Sequence, residues 1–562
     1  LFDALGARPL LEQATKSDPS FPLAHAALAE VFRRLGRQAD EEREARLALD
    51  NAARLGRDQQ LQVEARWRVS RREWARAVEL YRSLHDFFPA TIDYGLNLAQ
   101  AQVFAGRGKD ALDTIEQVRS SAEGASRDPR VEIAEAQACG AVSQYQRQDA
   151  AARSAAEKAR TLGARELEGD ALMYESSAAA LLGDRPRALQ RAVQAYDLFR
   201  QIGNPYSAGR ALLRRAHAAW RTGDLPGARA LFLEAEAVFT ELGDENDLAR
   251  AMHGFANIES DMQHSASALA VYRQALPMYE RAGDLPGVAA MHGNIGQMLE
   301  RAGDPEGAEK AGLRALELNQ QTGDRHAEAI SQESLGGLYL ARGDPRKALQ
   351  TMELATAIAK EIHDATTVAQ TRRKQGESLH ALGRVAEAEE ALRDGIGQLD
   401  SMGETARSGD GKLRLAGLYR DMGRLAEAEV AARAAVAQHK RAQVDSSEAE
   451  AALARVLAAA GRLVEARALS VRAAERTPQE GSAQIAAADV ELAEKHPDQA
   501  IARLRKTLPG LIQVPQRLEA ELLLARALAA AGQAQDADGR FRALATEARE
   551  KGFALVEMAA SR

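Results

Sequence analysis

The sequence predicts an all-α fold, a right-handed superhelical solenoid of about fourteen helix pairs, and three observations carry that prediction. Between Gly163 and Gly423 glycine recurs every 20 residues, at Gly163, Gly183, Gly203, Gly223, Gly243, Gly283, Gly303, Gly323, Gly343, Gly383, Gly403 and Gly423. Five residues after alternate glycines stands an alanine series with a 40-residue step: Ala188, Ala228, Ala268, Ala308, Ala348, Ala388 and Ala428. The hydrophobic fraction is 45% while aromatics are only 4%, so small side chains dominate, as helices that cross closely require.

Each rung of the glycine ladder reads as the end of one helix and the start of the next. Glycine past a helix terminus takes the left-handed conformation that closes the last turn without a Cβ clash. The following residue is usually aspartate, at Asp184, Asp224, Asp244, Asp284, Asp304, Asp324 and Asp344. Its carboxylate suits the free N–H groups of the next helix's first turn. The intervening helices are expected to run about 15 residues, or about 22 Å. Gln263 and His363 fill the two rungs that lack glycine and are expected to mark altered turns. By length alone 562 residues suggest about four domains. A fixed repeat overrides that expectation, because a solenoid grows without adding separate cores.

Outside the ladder the pattern loosens. An amphipathic helix is expected from Phe2 to about Lys16, ending before Ser17-Asp18-Pro19. The run Ala24 to Gly36 begins the repeats, and its partner helix is expected from Ala39 to about Leu55. Further turns are expected at Gly106 and near Arg147, with Ser120–Asp128 as the longest irregular connection. After Gly423 the spacing shortens, with turns at Gly461, near His496-Pro497 and at Gly532. The stretch Phe553 to Met558 reads as a partial helix capping the last apolar face. Three regions result: residues 1–125 with a leading helix and irregular units, 126–435 with the strict 40-residue array, and 436–562 with shorter units and a cap.

The repeat resembles the tetratricopeptide repeat (TPR) family over essentially the whole chain. Leu335-Gly336-x-x-Tyr339 and Ala77 with Tyr81 and Pro89 match its helix positions and its closing proline, as do Ala466 and Pro478. The 40-residue period departs from the usual 34 and looks like the long-repeat TPR subgroup of bacterial regulators and eukaryotic cargo or polarity adaptors. In the N-terminal part, Phe2 to Leu11, Asp18 to Ala29, and Phe87-Phe88-Pro89 followed by Asp93-Tyr94-Gly95-Leu96 look like the C-terminal TPR regions of bacterial serine/threonine kinases or winged-helix regulators. That likeness implies a catalytic or DNA-binding module upstream of Leu1.

The residues themselves point to no catalysis and to no cofactor or metal. There is no His-Arg-Asp loop, no Asp-Phe-Gly and no glycine-rich strand pair of a kinase. Gly409-Asp410-Gly411-Lys412 lacks the first glycine and the Ser/Thr of a phosphate loop and reads as a solvated turn. Gly376-Glu377-Ser378-Leu379-His380 lacks the closing glycine of a nucleophile elbow. The 11 histidines show no zinc spacing, and the single Cys139 falls on a core position. The net charge of −7 speaks against a nucleic-acid partner, and no apolar run is long enough to span a bilayer.

Function is therefore expected in a surface. In TPR arrays the first helix of each pair lines the concave groove. Aligned on the glycines, the inward residues are expected to be Arg214, His217 and Arg221, then His253 and Asn257, then Asn294 and Gln297, with Ser334, Arg373, Lys374, His380 and Arg414 beyond. Arg210, Trp220, Arg301, Glu377 and Arg420 share that face. Amides bond an extended backbone and arginine grips carboxylates, so a face poor in carboxylates predicts a protein or an extended acidic peptide as partner. Asn294 matches the asparagine that long-repeat TPR adaptors place on a peptide backbone. The leading expectation is a non-catalytic interaction scaffold, the sensory TPR region of a bacterial signalling protein. The alternatives are the regulatory region of a kinase or winged-helix regulator, and a self-association module. A cytoplasmic location is expected, or an extracytoplasmic one if a membrane segment precedes residue 1.

Overall fold

A computed structural model describes residues 3–561. Among them are thirty α-helices and no strand: a leading helix Ala4–Ser17, fourteen pairs running from Pro22–Arg34 to Ala534–Lys551, and a closing helix Ala554–Ala560. Phe2, the expected start of the first helix, lies outside the described residues. From Arg165–Leu181 to Leu425–Arg441 every helix is 17 or 18 residues long, about 25 Å. Before that array the helices from Pro22–Arg34 to Pro129–Ala141 span only 13 or 14 residues.

The backbone explains the ladder. Every ladder glycine has positive φ, between 65° at Gly283 and 88° at Gly223. At Gly183 the turn closes with Asp184 N–H donating to Ala179 O at 2.9 Å, the 6→1 bond that ties off a helix through a left-handed residue. The rungs without glycine correct the expectation of altered turns. Gln263 (φ 65°) and His363 (φ 58°) adopt the same left-handed conformation. Their turns close with the same bond, from His264 N–H to Glu259 O at 2.8 Å and from Asp364 N–H to Ala359 O at 2.9 Å. The aspartates cap as their spacing implies. Asp224 accepts from Gly227 N–H at 2.9 Å, Asp304 from Gly307 N–H at 2.9 Å and Asp344 from Lys347 N–H at 3.0 Å. The alanine series is buried throughout, from Ala188 to Ala428. These alanines let the paired helices approach closely, and helix-interior glycines admit larger neighbours, as Gly336 does for Met352.

Several local expectations are corrected. The turn expected near Arg147 lies at Ser143 (φ 60°), and Arg147 sits inside the helix Tyr145–Thr161. The partner helix expected to reach Leu55 ends at Asp50 and continues as a single 3₁₀ turn, Ala52–Arg54. Gly409 to Lys412, read as a solvated turn, is part of the helix Thr405–Asp421. There Gly409 lets His439 approach and Lys412 pairs with Asp400 at 2.9 Å.

The chain divides into two compact units, Leu1–Asp284 and Leu285–Arg562, a division that falls inside the ladder. In the first unit the array returns on itself: Ala4 N–H donates to the Glu166 carboxylate at 3.3 Å, the Tyr206 ring covers Gly36, and Arg72 donates to Ala282 O at 2.6 Å. The second unit closes similarly, with Val514 seated on Gly343 and Ala554 on Gly383. Its closing helix, expected only as a terminal cap, thus also packs on a turn far upstream.

Candidate functional site

The predicted inward residues fall on the first helices of successive pairs. Arg214, His217 and Arg221 lie on Pro205–Arg221, His253 and Asn257 on Glu245–Asp261, and Asn294 and Gln297 on Leu285–Arg301. Ser334 follows on Arg325–Ala341, Arg373, Lys374 and His380 on Ala365–Ala381, and Arg414 on Thr405–Asp421. The two units surround these residues with different chemistry.

In the unit 1–284 the face is cationic and partly balanced, with Asp247 and Asp170 bearing on Arg210. Arg210 stacks over the Tyr206 ring at 5.8 Å, and Arg250 meets Asp247 at 3.2 Å. Among the described residues no carboxylate forms an ion pair with Arg210, Arg214 or Arg221, whereas Arg250 takes two, Asp247 and Asp284. Burial, and then the neighbouring Arg210, hold the Arg214 guanidinium below its ordinary pKa. His217 packs edge-on against Phe232 with ring centroids 5.0 Å apart. Its pKa falls to about 3 because burial disfavours the imidazolium and Arg214, His253 and Arg221 repel it. Burial lowers His253 to about 4 as well, beside the Tyr272 and Tyr279 rings. Both rings are therefore neutral near pH 7, which makes them hydrogen-bonding groups rather than charges. Asn257 accepts from the Tyr272 hydroxyl at 2.6 Å, and Trp220 Nε1–H donates to Asp261 at 2.6 Å.

In the unit 285–562 the same face is ion-paired. Arg373 pairs with Glu377 at 2.5 Å, Lys374 with Glu333 at 2.9 Å, and Arg414 with Glu448 at 3.1 Å and Glu377 at 3.5 Å. His380 meets Asp421 at 3.2 Å, and Arg420 joins Asp421 and Glu519 at 2.8 and 3.0 Å. Arg455 completes the chain, bound to Glu519 at 2.7 Å and to Asp489 at 2.9 Å. These cations hold Glu519 and Asp421 well below the usual carboxylate range despite burial, which works against them. The expectation of a face poor in carboxylates is thus corrected for this unit. Gln297 and Ser334 stand exposed on it.

The alignment passed over Glu333, Asp410, Glu448 and Glu519. A signal for Asp410 existed, because it occupies the ladder register of Arg210 and Arg250, 200 and 160 residues on. Glu519 gave none, since the shorter C-terminal units break that register.

A second charged cluster lies at the start of the first unit. Arg66 reaches Glu30 at 2.6 Å, and Arg33 also grips it. Burial opposes the charge of Glu30, but Arg33, Arg66 and Arg34 hold its carboxyl well below the usual range. Glu41, beside it, is 8% exposed, and burial together with the Glu30 charge pushes its pKa up to about 7. These groups line a cavity of about 10 Å³ with Trp74, Tyr81, Asn97 and Gln100, room for one water. Cys139 is fully buried, and burial raises its thiol to about 11, consistent with its place in the core. Among the described residues no His/Cys/Asp/Glu group could hold a metal ion, and no helix is long and apolar enough to cross a membrane.

Comparison with known proteins places this geometry. A family model of the MalT-like TPR region matches residues 324–560, and tetratricopeptide-repeat models match 207–281, 253–322 and 94–117. No curated protein matches the chain. Among solved structures, BtubC (BKLC) from P. vanneervenii is 22% identical over 39% of this chain and 92% of its own, with a TM-score of 0.35. The apo form of RapI is 13% identical over 63% of this chain and 98% of its own, with a TM-score of 0.46. A Rap protein complexed with competence and sporulation factor is 13% identical over 59% and 98%, with a TM-score of 0.41.

Proposed function

Because the chain is a tetratricopeptide-repeat protein, we propose that it is a non-catalytic scaffold that binds an extended protein segment along the first helices of its repeats. The observation that carries this reading is the polar face that those helices present within each unit. Arginine, histidine and amide side chains stand there in register over an alanine core that already satisfies the packing. An extended segment offers backbone N–H and C=O groups at regular intervals, which Asn294, Gln297, Ser334 and the neutral histidines can meet. The N-terminal likeness to TPR regions of bacterial kinases and winged-helix regulators supports a place in bacterial signalling, with this region sensing the partner.

An array of 15-residue peptides tests the proposal. Wild-type protein is expected to retain a subset of peptides, and Arg214→Glu combined with Arg373→Glu is expected to abolish that retention while the helical circular dichroism stays unchanged. Retention of no peptide, or retention indifferent to the double variant, overturns it.

A further inference from the structure

The two units differ at the helix Pro205–Arg221, where Arg210, Arg214 and Arg221 share one face and, among the described residues, no carboxylate forms an ion pair with any of them. We propose that Arg210, Arg214 and Arg221 form a proton-linked site for an acidic protein segment, with His217 as the group that takes up the proton. The inference rests on the scaffold reading and goes further, naming the stretch of face, the chemistry of its ligand and its regulation.

Charge complementarity supplies the ligand. Unpaired guanidiniums gathered on one helix repel one another, and an arriving carboxylate removes that repulsion while gaining charge-assisted hydrogen bonds. Burial first, and then Arg210 and Arg250, disfavour the charge on Arg214, whereas Asp247 and Asp170 support the charge on Arg210, so the shortage of negative charge is at Arg214. Asp247 is the one carboxylate among the charges that bear on Arg214, and it already holds Arg250.

The surroundings of His217 supply the regulation. Its own helix presents Arg214 and Arg221, and the following first helix presents His253. On that next helix Asp247 holds Arg250 and Asp261 is engaged by Trp220. The preceding first helix carries Asp170 and Tyr174, whose charges bear on Arg210 rather than on His217. The packed second helix, Leu225–Leu242, offers Phe232 to the ring and directs Arg229 and Glu234 away, to Glu259 and Tyr196. Burial disfavours the imidazolium and the facing Arg214, His253 and Arg221 repel it further, so its pKa stands near 3. A bound carboxylate reverses that balance, and by linkage a ligand that raises the pKa binds more tightly as pH falls.

The test uses the full chain and a rhodamine-labelled dodecapeptide of Glu, Ser and Gly, with its Gln-for-Glu counterpart as control, read by fluorescence anisotropy. The Glu peptide is expected to bind at least about threefold more tightly at pH 5.5 than at pH 7.5, where its own carboxylates are still ionised. Arg214→Gln is expected to weaken it about tenfold, Lys310→Gln, an exposed position on the second helix Pro305–Thr322, to leave it unchanged, and the Gln counterpart not to bind. His217→Gln is expected to bind equally at pH 5.5 and pH 7.5, whatever its absolute affinity, because the proton-linked gain is gone. The His217 Cε1 proton resonance, a readout independent of affinity, is expected to titrate at higher pH in the complex. Binding that weakens towards pH 5.5, or that falls equally with Lys310→Gln, overturns the inference. So does tighter binding of single-stranded oligothymidylate than of the peptide. If the array retains peptides but none is acidic, this inference fails while the scaffold reading stands.

Discussion

The two units share one backbone solution and differ in how they balance charge on the same helix face. Lys374 and Arg414 hold the register position of Arg214, 160 and 200 residues on, yet both are ion-paired and Arg214 is not. The difference lies in two neighbouring registers. Glu377 stands where the first unit has His217, and Glu333 where it has His253, 160 and 80 residues apart. An acid at those positions turns a cationic groove into an internally neutralised one without altering turn, cap or core. The difference teaches that in a solenoid the fold is written in one set of positions and the surface chemistry in another.

The largest expected effect comes from breaking the neutralised face. Glu377 sits between Arg373, whose side chain is only 13% exposed, and Arg414. Glu377→Ala leaves both guanidiniums without that partner, and the Nε atoms of both already lack a hydrogen bond among the described residues. Removing one member of a largely buried pair costs about 3 kcal/mol, visible as a lower urea midpoint with an unchanged slope. A change below about 0.5 kcal/mol would mean that the pairs are solvent-screened and that the contrast between the units is nominal.

Much of the fold was legible because the repeat states it many times. The glycines demand a left-handed residue, the aspartates following them cap, and the alanines sit where helices touch. Gln263 and His363 misled because the turn is imposed by its neighbours' hydrogen bonds, so it survives the loss of glycine. The ion pairs were less legible, since Lys374–Glu333 and Arg414–Glu377 join different repeats and Arg420–Glu519 spans 99 residues. Closure of each unit on itself had no sequence signal, because Tyr206 on Gly36 and Val514 on Gly343 join repeats far apart in the chain, which no local pattern specifies.

Within the first unit the Glu30–Glu41 cluster gives the next effect, and it depends on pH. The folded pKa of Glu41 is about 7 against an ordinary 4.5. A raised carboxyl pKa means that folding favours the protonated form, so its contribution is fully present below pH 4.5 and is lost as pH rises through 7. Glu41→Gln removes that loss. It is expected to stabilise the protein by about 2 kcal/mol at pH 8 and to be near neutral at pH 4.5, measured by urea unfolding at both values. Equal effects at both pH values would show that Glu41 is ionised in the folded chain throughout.

Backbone changes should not distinguish the units, and that equality sharpens the comparison. Gln263 lies in one unit and His363 in the other, both left-handed. Gln263→Gly and His363→Gly each relieve a Cβ clash worth about 1 kcal/mol and should raise the melting temperature to a similar degree. A gain in one and a loss in the other would mean that one of these side chains contributes contacts beyond its turn.

The smallest effect carries the sharpest contrast, because its sign should invert between the units. Arg214→Gln removes a cation that has no ion pair among the described residues and relieves repulsion with Arg210 and Arg250. Arg373→Gln removes a cation from its pair with Glu377. The first is expected to stabilise by a few tenths of a kcal/mol, small because the side chain is exposed to water, and the second to destabilise. Salt separates this from a packing effect. Screening over about 10 Å at 0.1 M ionic strength should erase the Arg214→Gln gain in 0.5 M NaCl and enlarge it in 10 mM buffer. A loss of stability for Arg214→Gln at low salt would mean that the guanidinium is already neutralised, and the two grooves would then differ in geometry and not in charge.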